Sequence, residues 1–190
     1  MNIILINDDA NNDGGCVQAL ERLGHSVLEY LSSDKNFTQP VIRQKPDLLM
    51  LRLKQVDDRI LNNIFLLQRE WPLPVLLFAK KSAYQDANMV LSSGVSTYVI
   101  DGYDVARIKA LIEVSKARFK QIQGLHQELG EIKRSLDERR IIERAKGIIM
   151  EKRGINEDQA YMLLRKTAMN QSKKMVEVAR SIIGLADVLN

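Results

Sequence analysis

The sequence predicts an α/β domain with a doubly wound parallel sheet, followed by a half that is helical throughout. Three observations carry this reading. Over the first hundred residues short apolar runs alternate with amphipathic stretches, a β-α-β rhythm. The runs are apolar at every position, as in strands covered on both faces. From Asp104 onward no proline appears and helix-period spacing takes over.

Taken in order, Ile3-Ile4-Leu5-Ile6 predicts the first strand, Val17 to Leu23 a helix, and Ser26-Val27-Leu28 the second strand beyond a turn at Gly24. Pro46-Asp47 leads into a strand at Leu48-Leu49-Met50-Leu51. Asp57 to Glu70 reads as a helix, and Pro72 and Pro74 precede the strand Val75-Leu76-Leu77-Phe78. A helix around Ala83–Ser92, Gly94, and a fifth strand at Thr97-Tyr98-Val99-Ile100 complete the pattern. The result is a flavodoxin-like domain over about residues 1–115.

A long helix is expected over 104–140. Ile122, Leu125, Leu129, Ile132 and Leu136 are spaced three, four, three and four apart, the rhythm of a coiled-coil seam, and the series extends back to Leu111 and Ile108. The seam could dock on the chain's own N-terminal domain, but clean heptads between charged faces favour a parallel homodimer. Gly124 and Gly130 each cost about 1 kcal/mol relative to alanine in a helix, so a bend is expected there. A small three-helix bundle follows over 139–190. Its first helix carries Ile141, Ala145, Ile148 and Ile149 up to Gly154, Asn156 and Gln159 form a capping box for the second, and Ser172 caps the third.

Composition narrows the function. The formal charge is +4 and the pI about 9.2, which permits a nucleic-acid partner. Lys+Arg against Asp+Glu is 12 to 13 over residues 1–110, 5 to 3 over 111–136 and 11 to 8 over 137–190, so the basic excess lies in the second half. The lone Cys16 has no partner for an internal disulfide, the N-terminus is unlike a signal peptide, and no apolar run approaches the roughly 20 residues needed to span a bilayer. A cytoplasmic protein is expected, with no membrane partner. There is no phosphate-cradling glycine loop, no dinucleotide fingerprint and no zinc spacing. His25 and His126 read as solvated surface residues and Cys16 as a small helix residue. The expectation is a protein that is not an enzyme, with no cofactor and no metal.

Asp8-Asp9 closes the first strand, where open α/β sheets place their ligand sites. Strand order and motif positions over residues 1–115 resemble the CheY-like receiver domains of response regulators. That resemblance implies two acids holding Mg²⁺ after strand one, a phosphate-accepting Asp after strand three, a hydroxyl after strand four and a Lys after strand five. The matching positions here are Asn7 and Asp8, Arg52, Ala79, and Asp101 followed by Gly102. A guanidinium is no nucleophile, so Arg52 cannot accept a phosphoryl group. It could instead pair with Asp8 or Asp101. The domain is a pseudo-receiver.

The segment from Arg139 to Leu189 carries Ile142, Ala145-Lys146-Gly147-Ile148-Ile149-Met150, Gly154, Asn156-Glu157, Ala160-Tyr161, Leu164-Arg165, Ala168-Met169, Val178-Ala179 and Ile182-Ile183. These residues resemble the ANTAR domain, named for the AmiR and NasR antitermination regulators. With the degenerate receiver, the seam and the total length, the chain is similar to the NasT-like nitrate-responsive antiterminators. The resemblance implies a dimer whose helical domains bind hairpin loops in a leader mRNA and prevent a terminator from forming. It also implies a partner, a NasS-like nitrate or nitrite sensor.

The residues supply an RNA-binding kit of their own. Tyr161 and Arg165 are four apart on one helix face that neighbours Lys166, which suits an unstacked base beside a phosphate. Lys173 and Lys174 at the start of the third helix, and Arg144 and Lys146 in the first, extend the basic surface. Tyr161 suits a bundle-core ring equally well, and Met150 and Met169 read as packing residues. Two rivals remain: a phosphorylated DNA-binding response regulator, disfavoured by Arg52, and a protein-interaction adaptor working through its coiled coil.

Overall fold

The computed structural model describes all residues except 9–14, 34–35, 82–86, 101–104 and 190, together with the side chains of 81, 105, 188 and 189. The chain runs β1 (Asn2–Asn7), α1 (Cys16–Arg22), β2 (Ser26–Ser32), α2 (Thr38–Gln44), β3 (Leu48–Gln55), α3 (Asp58–Glu70), β4 (Val75–Lys81), α4 (Ala87–Ser92) and β5 (Thr97–Ile100). A 3-10 turn at Val105–Arg107 leads into α5 (Ile108–Arg153), α6 (Glu157–Asn170) and α7 (Met175–Leu189). Two compact units divide at Gln123/Gly124, within α5.

In the first unit all five strands are parallel, in the order β2-β1-β3-β4-β5. This is the flavodoxin-like order. Side chains alternate across a strand, and here both faces are covered. Ile4, Ile6, Leu49, Leu51 and Leu77 meet α2, α3 and α4 through Val41, Ile60, Ile64, Leu67 and Val90. On the other face, Ile3, Leu5, Met50, Leu76 and Phe78 meet Cys16 and Leu20 of α1 and Ile108 and Ile112 of α5. That two-sided burial is why the strands read as unbroken apolar runs.

Helix α2 has no counterpart among the elements expected from the sequence. Pro40 is its third residue, in the first turn, where a missing N–H costs no helical hydrogen bond. Asp57 opens α3 by accepting a 2.8 Å bond from the Ile60 N–H. The expected helix at Ala83–Ser92 is described only over Ala87–Ser92; residues 83–86 of it lie outside the described residues.

The second unit packs α5, α6 and α7 around Ala145, Ile149, Ala160, Leu164, Ala168, Val178 and Ala179. Four alanines in that set let the helices approach closely. Gly154, left-handed at φ 63°, closes α5, and Asn156 with Gln159 forms both arms of the capping box on α6. Helix α5 is continuous through Gly124 and Gly130. One expectation is corrected. Ser172 closes α6 rather than opening α7: at φ 51° its N–H donates to the Met169 carbonyl while the Lys173 N–H donates to that of Ala168. The start of α7 is formed at Lys174, whose N–H donates to the Glu177 carboxylate at 3.2 Å.

Candidate nucleic-acid interface

At the carboxyl edge of the sheet, Asn7, Arg52 and Phe78 lie in register on β1, β3 and β4, and Leu53 pairs with Ala79. Asn7 is buried and its amide donates to the Tyr30 hydroxyl. Asp8 is held on both oxygens: the Ser33 hydroxyl donates to one, and the Lys54 N–H donates to the other at 2.5 Å. Ala79 is buried and carries no hydroxyl. Asp101 lies outside the described residues. The described groups do not suit Mg²⁺, with a neutral amide beside the one carboxylate and a guanidinium at the next strand. Tyr30, Ser33 and Lys54 were not singled out in the sequence, because the partner of Asn7 comes from β2, and those of Asp8 from the turn after β2 and a backbone N–H. His25 is also corrected: it is half-buried, with its Nδ1 unpartnered, and burial first, then the N-terminal amino group and Lys116, push its pKa down. His126 is exposed.

In the second unit the cations divide into two kinds. Lys146, expected on the basic surface, is only 6% exposed. Its ammonium lies 2.8 Å from Glu143 and 2.7 Å from Glu157, bridging α5 to the first turn of α6. Those two bonds hold the Lys146 pKa above the ordinary lysine range, and Lys146 holds Glu157 below the usual carboxylate range. A cation so enclosed supports the bundle instead of presenting charge to a ligand. Its partners are Glu143, which the sequence reading passed over, and Glu157, which it named only within the ANTAR resemblance. Arg144 is exposed and paired with Asp187 of α7 at 2.8 Å.

The outward face of α6 is different. Tyr161, Met162, Arg165, Lys166, Met169 and Asn170 line a shallow groove of about 300 Å³. Tyr161 is 41% exposed, outside the bundle core, so its ring is a surface platform beside a guanidinium and an ammonium. Met169 is corrected from packing to surface at 69% exposure, while Met150 packs against the core as expected. Met162, more exposed still, was missed, since an apolar residue in a helical series reads as core. Lys173 and Lys174 are exposed in the turn between α6 and α7.

The seam residues Ile122, Leu125, Leu129, Ile132 and Leu136 are 45–57% exposed along α5. No helix of the described residues is long and apolar enough to cross a membrane.

Residues 130–183 match the ANTAR domain family. The C-terminal unit is an ANTAR domain. The chain is 37% identical over 75 residues to the nitrate regulatory protein of Klebsiella oxytoca, a match covering 40% of this chain and 19% of that protein. It is 20% identical over 181 residues to the transcriptional regulatory protein PdtaR of Mycobacterium tuberculosis, covering 95% of this chain and 88% of that one. Among solved structures, the receiver domain of a modulated diguanylate cyclase from Desulfovibrio desulfuricans G20 aligns with a TM-score of 0.51 at 15% identity, over 63% of this chain and 96% of that one. A LuxR-family response regulator from Aurantimonas sp. SI85-9A1 also gives 0.51, at 18% identity, over 61% of this chain and 84% of that one. Both give the fold alone. The first unit has the receiver fold, and the second carries the ANTAR match.

Proposed function

We propose that this chain is a cytoplasmic, dimeric RNA-binding antiterminator that controls nitrate or nitrite assimilation genes. The observation that carries the reading is the exposed Tyr161 ring beside Arg165 and Lys166 on an ANTAR domain. The outward face of α6 takes loop bases, by stacking on Tyr161 and by contacts of Arg165 and Lys166 to bases and phosphates. Lys173 and Lys174 add phosphate contacts, and Arg144 contributes from α5. Two copies joined along Ile122–Leu136 hold two hairpin loops of one leader, and RNA held that way cannot complete the terminator. The nitrate assignment follows the named relative from Klebsiella oxytoca. Control comes from a NasS-like nitrate-sensing protein, since the pseudo-receiver pocket offers Arg52 and Ala79 where phosphoryl chemistry needs a carboxylate and a hydroxyl.

The test is a gel shift of a nitrate-operon leader transcript against duplex DNA of the same sequence. Preferential retention of the RNA hairpins is expected. Equal or stronger binding of duplex DNA would favour the DNA-binding rival, and binding of neither would favour the adaptor.

A further inference from the structure

Arg140 and Arg144 of α5 and Arg180 of α7 line a second groove, of about 380 Å³, with Ile141, Ile183 and Gly184 in its walls and floor. Asp187 is the one carboxylate lining it, and it is occupied by Arg144 at 2.8 Å. Among the described residues neither Arg140 nor Arg180 has an ion-pair partner. Three guanidiniums around one apolar-floored cleft repel one another, and a single acid offsets one of them. A groove of one sign with low-dielectric walls focuses its field on a counter-ion. The guanidinium fork matches the paired oxygens of a phosphate. No aromatic ring lines this groove, so bases have nothing to stack on, in contrast to the face of α6.

Gly184 adds an independent observation. A Cβ built there meets no atom within 4 Å. Glycine inside a helix is less favourable than alanine, and packing does not require it here. A larger side chain placed there would enter the open groove.

We propose that the α5/α7 groove is a second RNA contact of the ANTAR domain, seating phosphodiester groups of the hairpin through Arg140, Arg180 and Arg144. The proposal rests on the RNA-binding reading above and gives it a backbone site distinct from the face of α6. Asp187 tunes the site by holding Arg144 partly neutralised.

The full-length protein is titrated with a fluorescein-labelled hairpin from a nitrate-assimilation leader over a series of KCl concentrations. Arg140→Gln and Arg180→Gln should each weaken binding roughly tenfold. Each should also flatten the slope of log affinity against log salt by about 0.7, leaving the preference for the native loop over a scrambled loop unchanged. Gly184→Leu fills the groove without removing charge, and should melt no lower than the parent yet bind more weakly. Asp187→Asn should have the opposite sign, tightening binding a few-fold. If the arginine variants stay folded and bind with the parent's affinity and slope, the groove proposal is overturned while the RNA reading stands. It is overturned equally if they change loop preference and not slope, since the groove would then read bases. If the parent binds no hairpin, both readings fall together. The arginine variants change exposed side chains only, so they decide the matter even if Gly184→Leu fails to fold.

Discussion

Lys146 stands between Glu143, 2.8 Å away on its own helix, and Glu157, 2.7 Å away at the start of the next. One buried ammonium thereby fixes where α6 begins relative to α5. The pH dependence follows from the direction of each shift. Glu157 is held below its usual range, so its contribution is present above about pH 4.3, the ordinary glutamate value, and is lost as pH falls through the lower folded value. Lys146 is held above its usual range, so its contribution is present below about pH 10.4 and is lost as pH rises through the higher folded value. Melting curves of the parent and Glu157→Gln should differ at neutral pH and converge in acid. A gap that persists unchanged at low pH would show that the ion pair is not its source.

The core of the ANTAR domain is small, and Leu164 is almost fully buried in it. Leu164→Ala should cost about 2–5 kcal/mol and lower the melting temperature of this unit. Chemical denaturation read by circular dichroism checks this.

The pseudo-receiver should not be phosphorylated. Arg52 and Ala79 stand at two switch positions, and the Asp8 carboxylate is already held by Ser33 and the Lys54 N–H. Incubation with acetyl phosphate followed by intact-mass spectrometry should leave the mass unchanged. A stoichiometric acid-labile phosphate within residues 1–110 would contradict it.

Leu129→Asp should abolish dimerisation, because a carboxylate at the middle of the seam would be buried without a partner at a cost of several kcal/mol. Light scattering at a concentration where the parent dimerises should report a monomer. Unchanged mass would exclude this seam as the dimer contact.

The sheet was legible because Ile3–Ile6, Leu48–Leu51 and Val75–Phe78 are buried on both faces, a condition local composition records directly. That Ile122 to Leu136 lie on one helix was legible for a similar reason, since heptad spacing is a property of a single helix. Lys146 was not, because its burial depends on Glu157 eleven residues later, which a helical series cannot disclose. Ser172 misled because serine favours helix starts, whereas here it takes the left-handed position more often held by glycine. Tyr161 was left open between core and surface, and only the packing of Ala160, Leu164 and Ala168 inward turns its face outward.

Whether the outward face of α6 reads an RNA loop is decided by the hairpin affinity of Tyr161→Ala beside Lys173→Ala and Lys174→Ala across a salt series. Circular dichroism and a melting curve verify that each variant is folded. Tyr161→Ala should lose about 1–3 kcal/mol of binding with little change in salt slope, as expected for a lost stacking platform. Each lysine variant should instead weaken binding across RNA sequences and flatten the slope by about 0.7 for a single-stranded phosphate contact. Folded variants that bind the leader hairpin as tightly as the parent would contradict the assignment of this face.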